Sequence, residues 1–237
     1  MQILKYVFVL ILVSFAALAG EKLTDSKSSL RIFAFKGKVY YTGIKNKGIF
    51  NLEGKVLLKD AVIVNFYENK GRFVFETDKG FYVFDGKKLG QDKNFSPLVL
   101  QKERKIYLKK DNRYLKISPD KNDVFYAPKI KNNFVLYSSL KSGLFLYDIK
   151  NKKTKYISKG VDASFSSDGK KIVFAKVYDD GENYIGSEIF IYDMISGKLK
   201  KTIPFKKGEI NRYPYLFEGV LYFNKNLDVF KMDLKEE

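Results

Sequence analysis

The acidic loop Tyr178–Tyr184, with the sequence YDDGENY, is the one acidic cluster in a basic chain. Oxygen ligands around a glycine-permitted turn bind hard cations such as Ca²⁺, but the full EF-hand spacing is absent, and a long hairpin loop explains the same residues. Long loops carry function more often than short turns. We therefore predict partner binding here and no metal site. The predicted contact residues of this loop are Asp179, Asp180, Glu182 and Asn183.

A second candidate contact is the segment Glu209–Tyr215, which combines an arginine with two tyrosines. Arginine and tyrosine are favoured anchors of protein interfaces. The segment opens the first strand of the last strand-rich repeat, so in a closed ring of repeats it faces the mouth of the central channel. Packing of the tyrosines in the core is the alternative. The predicted contact residues of this segment are Asn211, Arg212 and Tyr213.

The turn Asp168–Gly169 lies beside two lysines and two serines, so it first suggests a catalytic carboxylate. However, aspartate also accepts hydrogen bonds from the backbone two residues on, and glycine supplies the positive φ of a tight hairpin. The equivalent turns in other repeats read KGK, NKGR, KNN and FEG, so the aspartate is replaceable. We interpret Asp168 and Gly169 as a structural repeat turn. The acids that follow the third strands, Asp85, Asp148, Asp193 and Asp233, are expected to cap turns.

The absence of two residue types restricts the available chemistry. The 237 residues include no His and no Cys, which excludes thiol nucleophiles, zinc–cysteine sites and the commonest general base. No P-loop, nucleophile elbow, zincin motif or dinucleotide fingerprint occurs. We expect a protein that is not an enzyme and that needs no cofactor.

The first nineteen residues have the pattern of a signal peptide. A cationic Lys5 precedes an apolar run, and Ala17-Leu18-Ala19 supplies the small-x-small cleavage motif. We predict cleavage after Ala19, a propeller domain over residues 20–237 and a periplasmic or secreted location. The alternative is an uncleaved membrane anchor, although the apolar run is short for a span. No integral span is expected after cleavage.

The net charge of +17 suggests an affinity for polyanions. However, lysine greatly outnumbers arginine and is spread along the turns, whereas phosphate recognition prefers clustered arginine. Diffuse surface charge explains this distribution. Because the chain is expected to be exported, nucleic acid is excluded as a partner, and an anionic envelope component remains an alternative to an envelope protein.

After the signal segment, short runs of β-branched and aromatic residues alternate with Gly-, Asn- and Lys-rich turns, which indicates an all-β protein. Six repeats of roughly 36 residues follow one another, close to the length of a propeller blade. The third repeat lacks a clear fourth strand, and the last repeat ends at its third strand. The segment Glu21–Asp25 belongs to no repeat. Pairing it with the last repeat would close the ring and remove an exposed edge.

The fifth repeat, with ASFSSDGKKIVFAK, EIFIYD and GKLKKTI, resembles the WD40-like Asp-Gly repeat of the TolB-type β-propellers. The resemblance is good for this repeat and partial for Val124–Gly160. It is limited to the propeller part, because TolB proteins carry an N-terminal α/β domain that we do not expect here. The matching residues are Phe165, Ser167, Asp168, Gly169, Lys170, Lys171, Ile172, Phe174, Ile191, Tyr192 and Asp193, with Ser167 at the usual proline position.

The sequence therefore predicts an all-β, six-bladed propeller closed by its N-terminal strand, with five or seven blades as alternatives. The predicted function is that of an exported, non-catalytic module for protein interaction or envelope recognition. The alternative is a propeller that binds a carbohydrate or another small ligand in its central channel, or acts on a carbohydrate there. The loops predicted to share the binding face are Thr42–Asn46, Ser139–Lys141, Asp179–Tyr184 and Asn211–Tyr213.

Overall fold

The computed structural model of the protein describes residues 20–24, 29–45, 47–69 and 71–234. The predicted signal peptide, residues 1–19, lies outside them. Within the described ranges the regular structure is all β, and no helix is long and apolar enough to cross a membrane. The strands form six antiparallel sheets. The predicted six-bladed β-propeller is confirmed.

The blades are numbered in chain order. Strand β1 (Glu21–Lys22) precedes blade 1. Blade 1 contains β2 (Ser29–Phe35), β3 (Lys38–Gly43), β4 (Gly48–Asn51) and β5 (Val56–Lys59), and blade 2 contains β6 (Ile63–Asn69), β7 (Arg72–Thr77), β8 (Gly80–Phe84) and β9 (Leu89–Gln91). Blade 3 contains β10 (Val99–Lys102), β11 (Lys105–Lys110) and β12 (Arg113–Lys116). Blade 4 contains β13 (Phe125–Lys131), β14 (Phe134–Ser139), β15 (Gly143–Asp148) and β16 (Lys153–Ser158). Blade 5 contains β17 (Val161–Phe165), β18 (Lys171–Asp179), β19 (Tyr184–Asp193) and β20 (Leu199–Ile203), and blade 6 contains β21 (Asn211–Phe217), β22 (Val220–Lys225) and β23 (Asp228–Asp233).

The N-terminal strand closes the ring as the sequence predicts. Strand β1 runs antiparallel to β23, with Glu21 opposite Lys231, and becomes the fourth strand of blade 6. The amide of Leu23 continues the pairing by donating to the carbonyl of Val229 at 2.7 Å. Glu21 and Lys231 also form an ion pair at 3.0 Å. The closure joins the start of the propeller to its end and covers the edge of β23.

Blade 3 has three strands, which agrees with the fourth strand missing from its repeat. Its first strand, β10, pairs with β11 without a register shift. The other five inner strands each carry a bulge near their start. In blades 4, 5 and 6 the bulge places a residue other than glycine at positive φ, namely Ala127 (50°), Asp162 (55°) and Tyr213 (50°). Bulges bend a strand and re-aim its side chains.

The turn at Asp168 closes the first hairpin of blade 5. The Asp168 carboxylate accepts hydrogen bonds from the Lys170 amide at 3.0 Å and from the Ser166 hydroxyl at 2.6 Å, and Gly169 adopts a φ of +71°. Asp85, Asp148 and Asp193 cap the turns after their third strands in the same manner. Backbone amides hold the pKa of these three carboxyls below the usual value. The carboxylates are therefore occupied by their own turns.

Aromatic side chains from neighbouring blades fill the core. Between blades 1 and 2, the fully buried Phe33 lies 4.7 Å from Phe73 and 5.1 Å from Phe66, measured between ring centres. Between blades 3 and 4, Phe125 packs against Val99 and Ile106. Such ring pairs stabilise a core by about 0.5–1.5 kcal/mol each beyond the burial of their area. This packing fixes the inner strands against one another.

Candidate functional site

The first residues of five inner strands surround a cavity of about 380 Å³ on the axis of the ring. Blades 1, 2, 4, 5 and 6 all contribute to its wall, whereas none of the described residues of blade 3 does. The cavity marks the upper face, defined here as the face on which the inner strands begin. Its volume is in the range of small-molecule sites. The charged and phenolic side chains of the wall are Arg31, Lys129, Asp162, Arg212, Tyr126, Tyr184 and Tyr213.

A second cavity, of about 40 Å³, lies at the other end of the inner strands and has a mainly apolar wall. The ion pair between Lys131 and Glu68, at 2.6 Å, lies in its wall. Phe66, Lys129 and Ser164 line both cavities and therefore separate them.

Three hydrogen bonds of the same kind link the inner strands of blades 2, 4, 5 and 6 around the upper cavity. In each bond, the donor is the side chain of the first residue after a bulge. The acceptor is the backbone carbonyl of the last bulge residue in the next inner strand that lines the cavity. The three bonds run from Asn65 to Pro128 at 3.0 Å, from Lys129 to Ala163 at 2.7 Å and from Ser164 to Pro214 at 2.5 Å. Blade 2 is thereby bonded directly to blade 4. Five of the six blades therefore line the cavity, and the described residues of blade 3 lie outside it.

Asp162 and Arg212 form a two-point ion pair across blades 5 and 6. Both Nε and Nη2 of Arg212 donate to the carboxylate of Asp162, with 3.2 Å between Nη2 and Oδ1. Burial alone would lower the pKa of Arg212, but the hydrogen bond and charge of Asp162 outweigh burial and raise that pKa. Asp162 is the one carboxylate that the described residues contribute to the cavity wall, and the pair neutralises it.

Arg31 and Lys129 contribute positive charge to the wall without a carboxylate partner among the described residues. Nη1 of Arg31 donates to the carbonyls of Ile63 and Val64, and Nζ of Lys129 donates to Ala163. Burial lowers the pKa of Arg31, an effect that Tyr213 and Asp162 oppose. Burial, followed by the charge of Arg31, lowers the pKa of Lys129 to about 7, with Asp162 opposing. Arg31 and Arg212 outnumber the carboxylate of Asp162, so the wall carries excess positive charge, and protonated Lys129 adds to it.

The two segments singled out in the sequence meet at the rim of this cavity. The guanidinium carbon of Arg212 lies 5.0 Å from the ring centre of Tyr213 and 5.7 Å from that of Tyr184. Tyr184 ends the acidic loop and is 58% exposed. Cation–π contacts of this kind contribute about 0.5–2 kcal/mol. Arg212 and Tyr213 line the cavity, and Tyr184 links it to the loop.

Asn211 lies apart from this arrangement. It is only 1% exposed, and its backbone exchanges hydrogen bonds with the Ser187 hydroxyl. Neither polar atom of its side-chain amide has a hydrogen-bond partner among the described residues. Asn211 therefore offers no surface to a partner and belongs to the support beneath the rim.

The acidic loop is exposed and folds on itself. Asp179 accepts a hydrogen bond from the Gly181 amide at 3.2 Å, and Asp180 accepts from the amides of Glu182 and Asn183 at 3.1 and 2.8 Å. These backbone bonds hold the pKa of Asp180 below its usual value. Among the described residues, no group of three or more acids could hold a metal ion.

The hairpin that carries the acidic loop is longer than those of the other blades. Strands β18 and β19 contain 9 and 10 residues. At the upper end of the hairpin, the hydroxyl of Tyr178 donates to Glu188 at 2.6 Å, and its ring packs edge-on against Phe205 at 5.3 Å between ring centres. These contacts hold the projecting end of the hairpin above the upper face.

More than half of the exposed large apolar side chains among the described residues lie at the upper face. They belong to loops between blades, to connections between second and third strands, or to the starts of inner strands. Those at the upper face are Ile44, Val62, Val64, Leu140, Tyr178, Tyr184, Phe205 and Leu227, and those elsewhere are Val56, Leu115, Tyr156, Ile195 and Leu199. Leu140, at 68% exposed, sits on a turn that the buried Asp123 fixes through Ser142 and the Lys141 amide.

Reasoning from the sequence did not find Arg31, Lys129 and Asp162, which supply most of the charge in the cavity wall. One feature of the sequence distinguishes these three residues. Each is a charged residue inside the mainly apolar first strand of a repeat, in LRIFAF, APKIK and VDASF. A charge on such a strand is buried unless it faces the central channel, so the strand position indicates the site.

No protein-family model matches the chain, and no curated protein sequence is significantly similar to it. Solved structures do match. A structural genomics protein of unknown function from Bacteroides thetaiotaomicron VPI-5482 has a TM-score of 0.60 at 10% identity, covering 90% of this chain and 72% of its own. The WD40 β-propeller domain of Doa1 has a TM-score of 0.54 at 14% identity, covering 88% of this chain and 79% of its own.

An oligogalacturonate lyase from Vibrio parahaemolyticus has a TM-score of 0.38 at 12% identity, covering 84% of this chain and 53% of its own. This likeness is too low to support an argument about activity. At these identities, the two higher-scoring structures show the β-propeller fold and nothing further about what this chain does.

Proposed function

We propose that the protein is an exported, non-catalytic recognition module that binds another envelope protein with its upper face. The observation that carries the proposal is the concentration of exposed apolar side chains on this face. Exposed apolar surface next to polar groups is typical of protein-binding sites. The β-propeller fold is compatible with this role, since it presents loops from every blade on one face.

The centre of the proposed interface is the rim formed by Tyr184, Arg212 and Tyr213. Tyrosine and arginine are enriched among the residues that dominate binding energy, especially where they are held rigid near the middle of an interface. The ion pair to Asp162 and the ring contacts fix Arg212 before any partner arrives. Leu140 and the acidic loop extend the surface outward from this centre.

We further propose that the propeller is of the TolB type. The support is the repeat in blade 5, in which Asp168-Gly169 closes the first hairpin and the pattern ends with Ile191-Tyr192-Asp193. Asp168 accepts a hydrogen bond within the turn, and Ile191, Tyr192 and Asp193 end strand β19, which supports this proposal. An exported location is proposed on the pattern of residues 1–19.

The absence of catalysis is part of the proposal. The recurring acids Asp85, Asp148 and Asp193 cap their own turns, and the carboxylate of Asp162 in the upper cavity is engaged by Arg212. A general acid or base must reach a substrate atom with a free proton-transfer group. The engagement of these carboxylates by turn amides and by Arg212 supports a non-catalytic role.

Site-specific photo-crosslinking in cells tests the proposed interface. A photoreactive phenylalanine analogue replaces Tyr184 in one strain and Tyr156 in another. Tyr156 is the matched control, because it is also an exposed tyrosine, at 48%, but lies on the outer strand β16. We expect one discrete protein adduct from position 184, identified by mass spectrometry, and none from position 156.

The purified partner should then bind the purified protein, and Arg212→Ala should weaken that binding by about tenfold or more. Equal adducts from positions 184 and 156, or unchanged affinity in Arg212→Ala, would contradict the proposal. Folding of the variant is checked by its circular-dichroism spectrum and its unfolding midpoint.

A further inference from the structure

The upper cavity contains a charge imbalance that partner binding at the rim does not explain. Arg31 and Lys129 lie in its wall with hydrogen bonds to backbone carbonyls alone, while Asp162 is already bound to Arg212. An isolated cation is costly to remove from water unless an anion or hydrogen bonds compensate it. Arg31 and Lys129 are compensated by carbonyls and by the shared charge of Asp162 but have no carboxylate of their own among the described residues. Cations of this kind that line a cavity of ligand size indicate an anionic ligand.

The shape of the donor groups narrows the ligand class. Among the described residues, Nη1 is the one nitrogen of the Arg31 guanidinium with a protein acceptor, which leaves Nε and Nη2 to donate to an oxyanion. A guanidinium binds carboxylate and phosphate by two parallel hydrogen bonds. The ammonium of Lys129 supplies a compact second charge, and the phenols of Tyr126 and Tyr213 supply further donors to the same cavity.

We propose that the upper cavity binds a compact oxyanion, a small carboxylate or phosphate, through the guanidinium of Arg31 and the ammonium of Lys129. The cavity of about 380 Å³ accommodates such a ligand with room for water. The proposal does not rest on the proposed partner, because the anion is held inside the ring by Arg31 and Lys129, whereas the partner would contact the rim; Arg212 and Tyr213 border both sites.

Binding is coupled to uptake of a proton. Lys129 in the empty cavity has a pKa lowered to about 7, chiefly by burial and secondly by Arg31. A bound anion stabilises the ammonium, so the pKa of Lys129 rises on binding. For an anion whose own charge does not change over the range, the affinity is highest below pH 7 and falls by up to about tenfold per pH unit above it. The charged and phenolic groups that share the upper cavity with Lys129 are Arg31 on β2, Tyr126 on β13, Asp162 on β17, Tyr184 on β19, and Arg212 and Tyr213 on β21. Those that share the second cavity with it are Tyr67 and Glu68 on β6, Lys131 on β13 and Tyr215 on β21.

Isothermal titration calorimetry tests the site with inorganic phosphate and malonate as probes, at constant ionic strength, and with glycerol as the uncharged probe. We expect saturable 1:1 binding of one or both anions and none of glycerol. Phosphate alone identifies a phosphate site, and malonate alone identifies a carboxylate site. Binding of neither anion at concentrations up to tens of millimolar would overturn the proposal.

Variants locate the binding. Arg31→Gln and Lys129→Met should each weaken it by about ten- to a hundredfold, the effect of losing a charge-assisted hydrogen bond. Lys110→Met removes a lysine from exposed blade 3 surface and should bind like the unaltered protein. Equal affinity in all three variants would show nonspecific charge attraction and refute the site.

A measurement on the unaltered protein covers the case in which a variant fails to fold. NMR of lysine side chains labelled with ¹³C at Cε follows the titration of Lys129 with and without saturating probe. We expect its midpoint to move upward by one pH unit or more when the anion is bound. An unmoved midpoint would overturn the proposed contact with Lys129.

Discussion

Arg212 holds its guanidinium carbon 5.7 Å from the ring centre of Tyr184. This contact joins the inner strand of blade 6 to the projecting hairpin of blade 5. The acidic loop and the arginine segment, far apart in the chain, are therefore parts of one rim. Asp162 forms an ion pair with the same guanidinium from the cavity side, so the side chain of Arg212 belongs to both the rim and the cavity wall.

The pair of Asp162 and Arg212 should be a major determinant of stability at the upper face. Replacing Asp162 by Asn keeps the side-chain shape and tolerance of positive φ but removes the charge, leaving Arg212 half-buried without its counterion. We expect the free energy of unfolding, measured with urea, to fall by about 2 kcal/mol, less than for a fully buried pair.

The exposed pair of Glu103 and Lys102 provides the control, with 3.8 Å between the charged atoms. Glu103→Gln should change the free energy of unfolding by less than about 0.5 kcal/mol. A loss in Asp162→Asn no larger than in this control would show that the pair contributes nothing at the rim.

The repeat pattern predicted the architecture because the blades are built from the same local features. Strands of alternating burial, turns with glycine at positive φ and an acid capping the third strand can be recognised wherever they recur. The missing fourth strand of blade 3 and the extra segment at Glu21 could be recognised for the same reason. In a repeat of constant length, an absent strand and a segment that belongs to no repeat both stand out.

The cavity could not be predicted in the same way, because its residues do not recur. The wall combines Arg31, Asn65, Lys129 and Asp162, each different from its equivalents in other blades, and their meeting depends on how five bulged strands converge. The exclusion of blade 3 from this ring also depends on three-dimensional packing. The strand pattern of blade 3 differs from that of the other blades, but it does not predict the hydrogen bond from Asn65 to Pro128.

The glycine of the turn at Asp168 should matter more than an equivalent glycine elsewhere. Gly169 has a φ of +71°, and an added Cβ would lie 2.7 Å from the Asn132 amide nitrogen. Gly37, in the same turn of blade 1, has a φ of +74° and open space around it. We expect Gly37→Ala to cost about 1 kcal/mol through backbone strain alone, and Gly169→Ala to cost more in the same urea titration. A smaller cost for Gly169→Ala would contradict the contact with blade 4.

Removing the hydrogen bond from the Leu23 amide to Val229 should destabilise the pairing of β1 with β23 that closes the propeller. Leu23→Pro deletes the amide that donates to Val229 and also removes a side chain that packs against the blade 1 core. We expect the free energy of unfolding to fall by about 2 kcal/mol or more and self-association to increase, because the edge of β23 is uncovered. Leu23→Ala removes the side chain alone and separates the two effects. Identical self-association of the two variants in light scattering would argue against an exposed edge.

The pH dependence of stability should identify Lys129 as a buried cation. Its pKa in the folded protein, about 7, lies below the unfolded value of about 10.4. Between these values the unfolded chain binds the extra proton, so the contribution of Lys129 to the free energy of unfolding rises with pH, by up to about 1.4 kcal/mol per unit. Lys129→Met removes this contribution. The free energy of unfolding of the variant, measured with urea, should therefore vary less between pH 7 and pH 9, while Lys110→Met should keep the pH dependence of the unaltered protein.

The pH range stops at 9 because buried tyrosines such as Tyr126, whose pKa is raised, oppose the trend above pH 10. Parallel profiles for Lys129→Met and the unaltered protein would mean that the ammonium is solvated, and the cavity would lose its proton-linked cation.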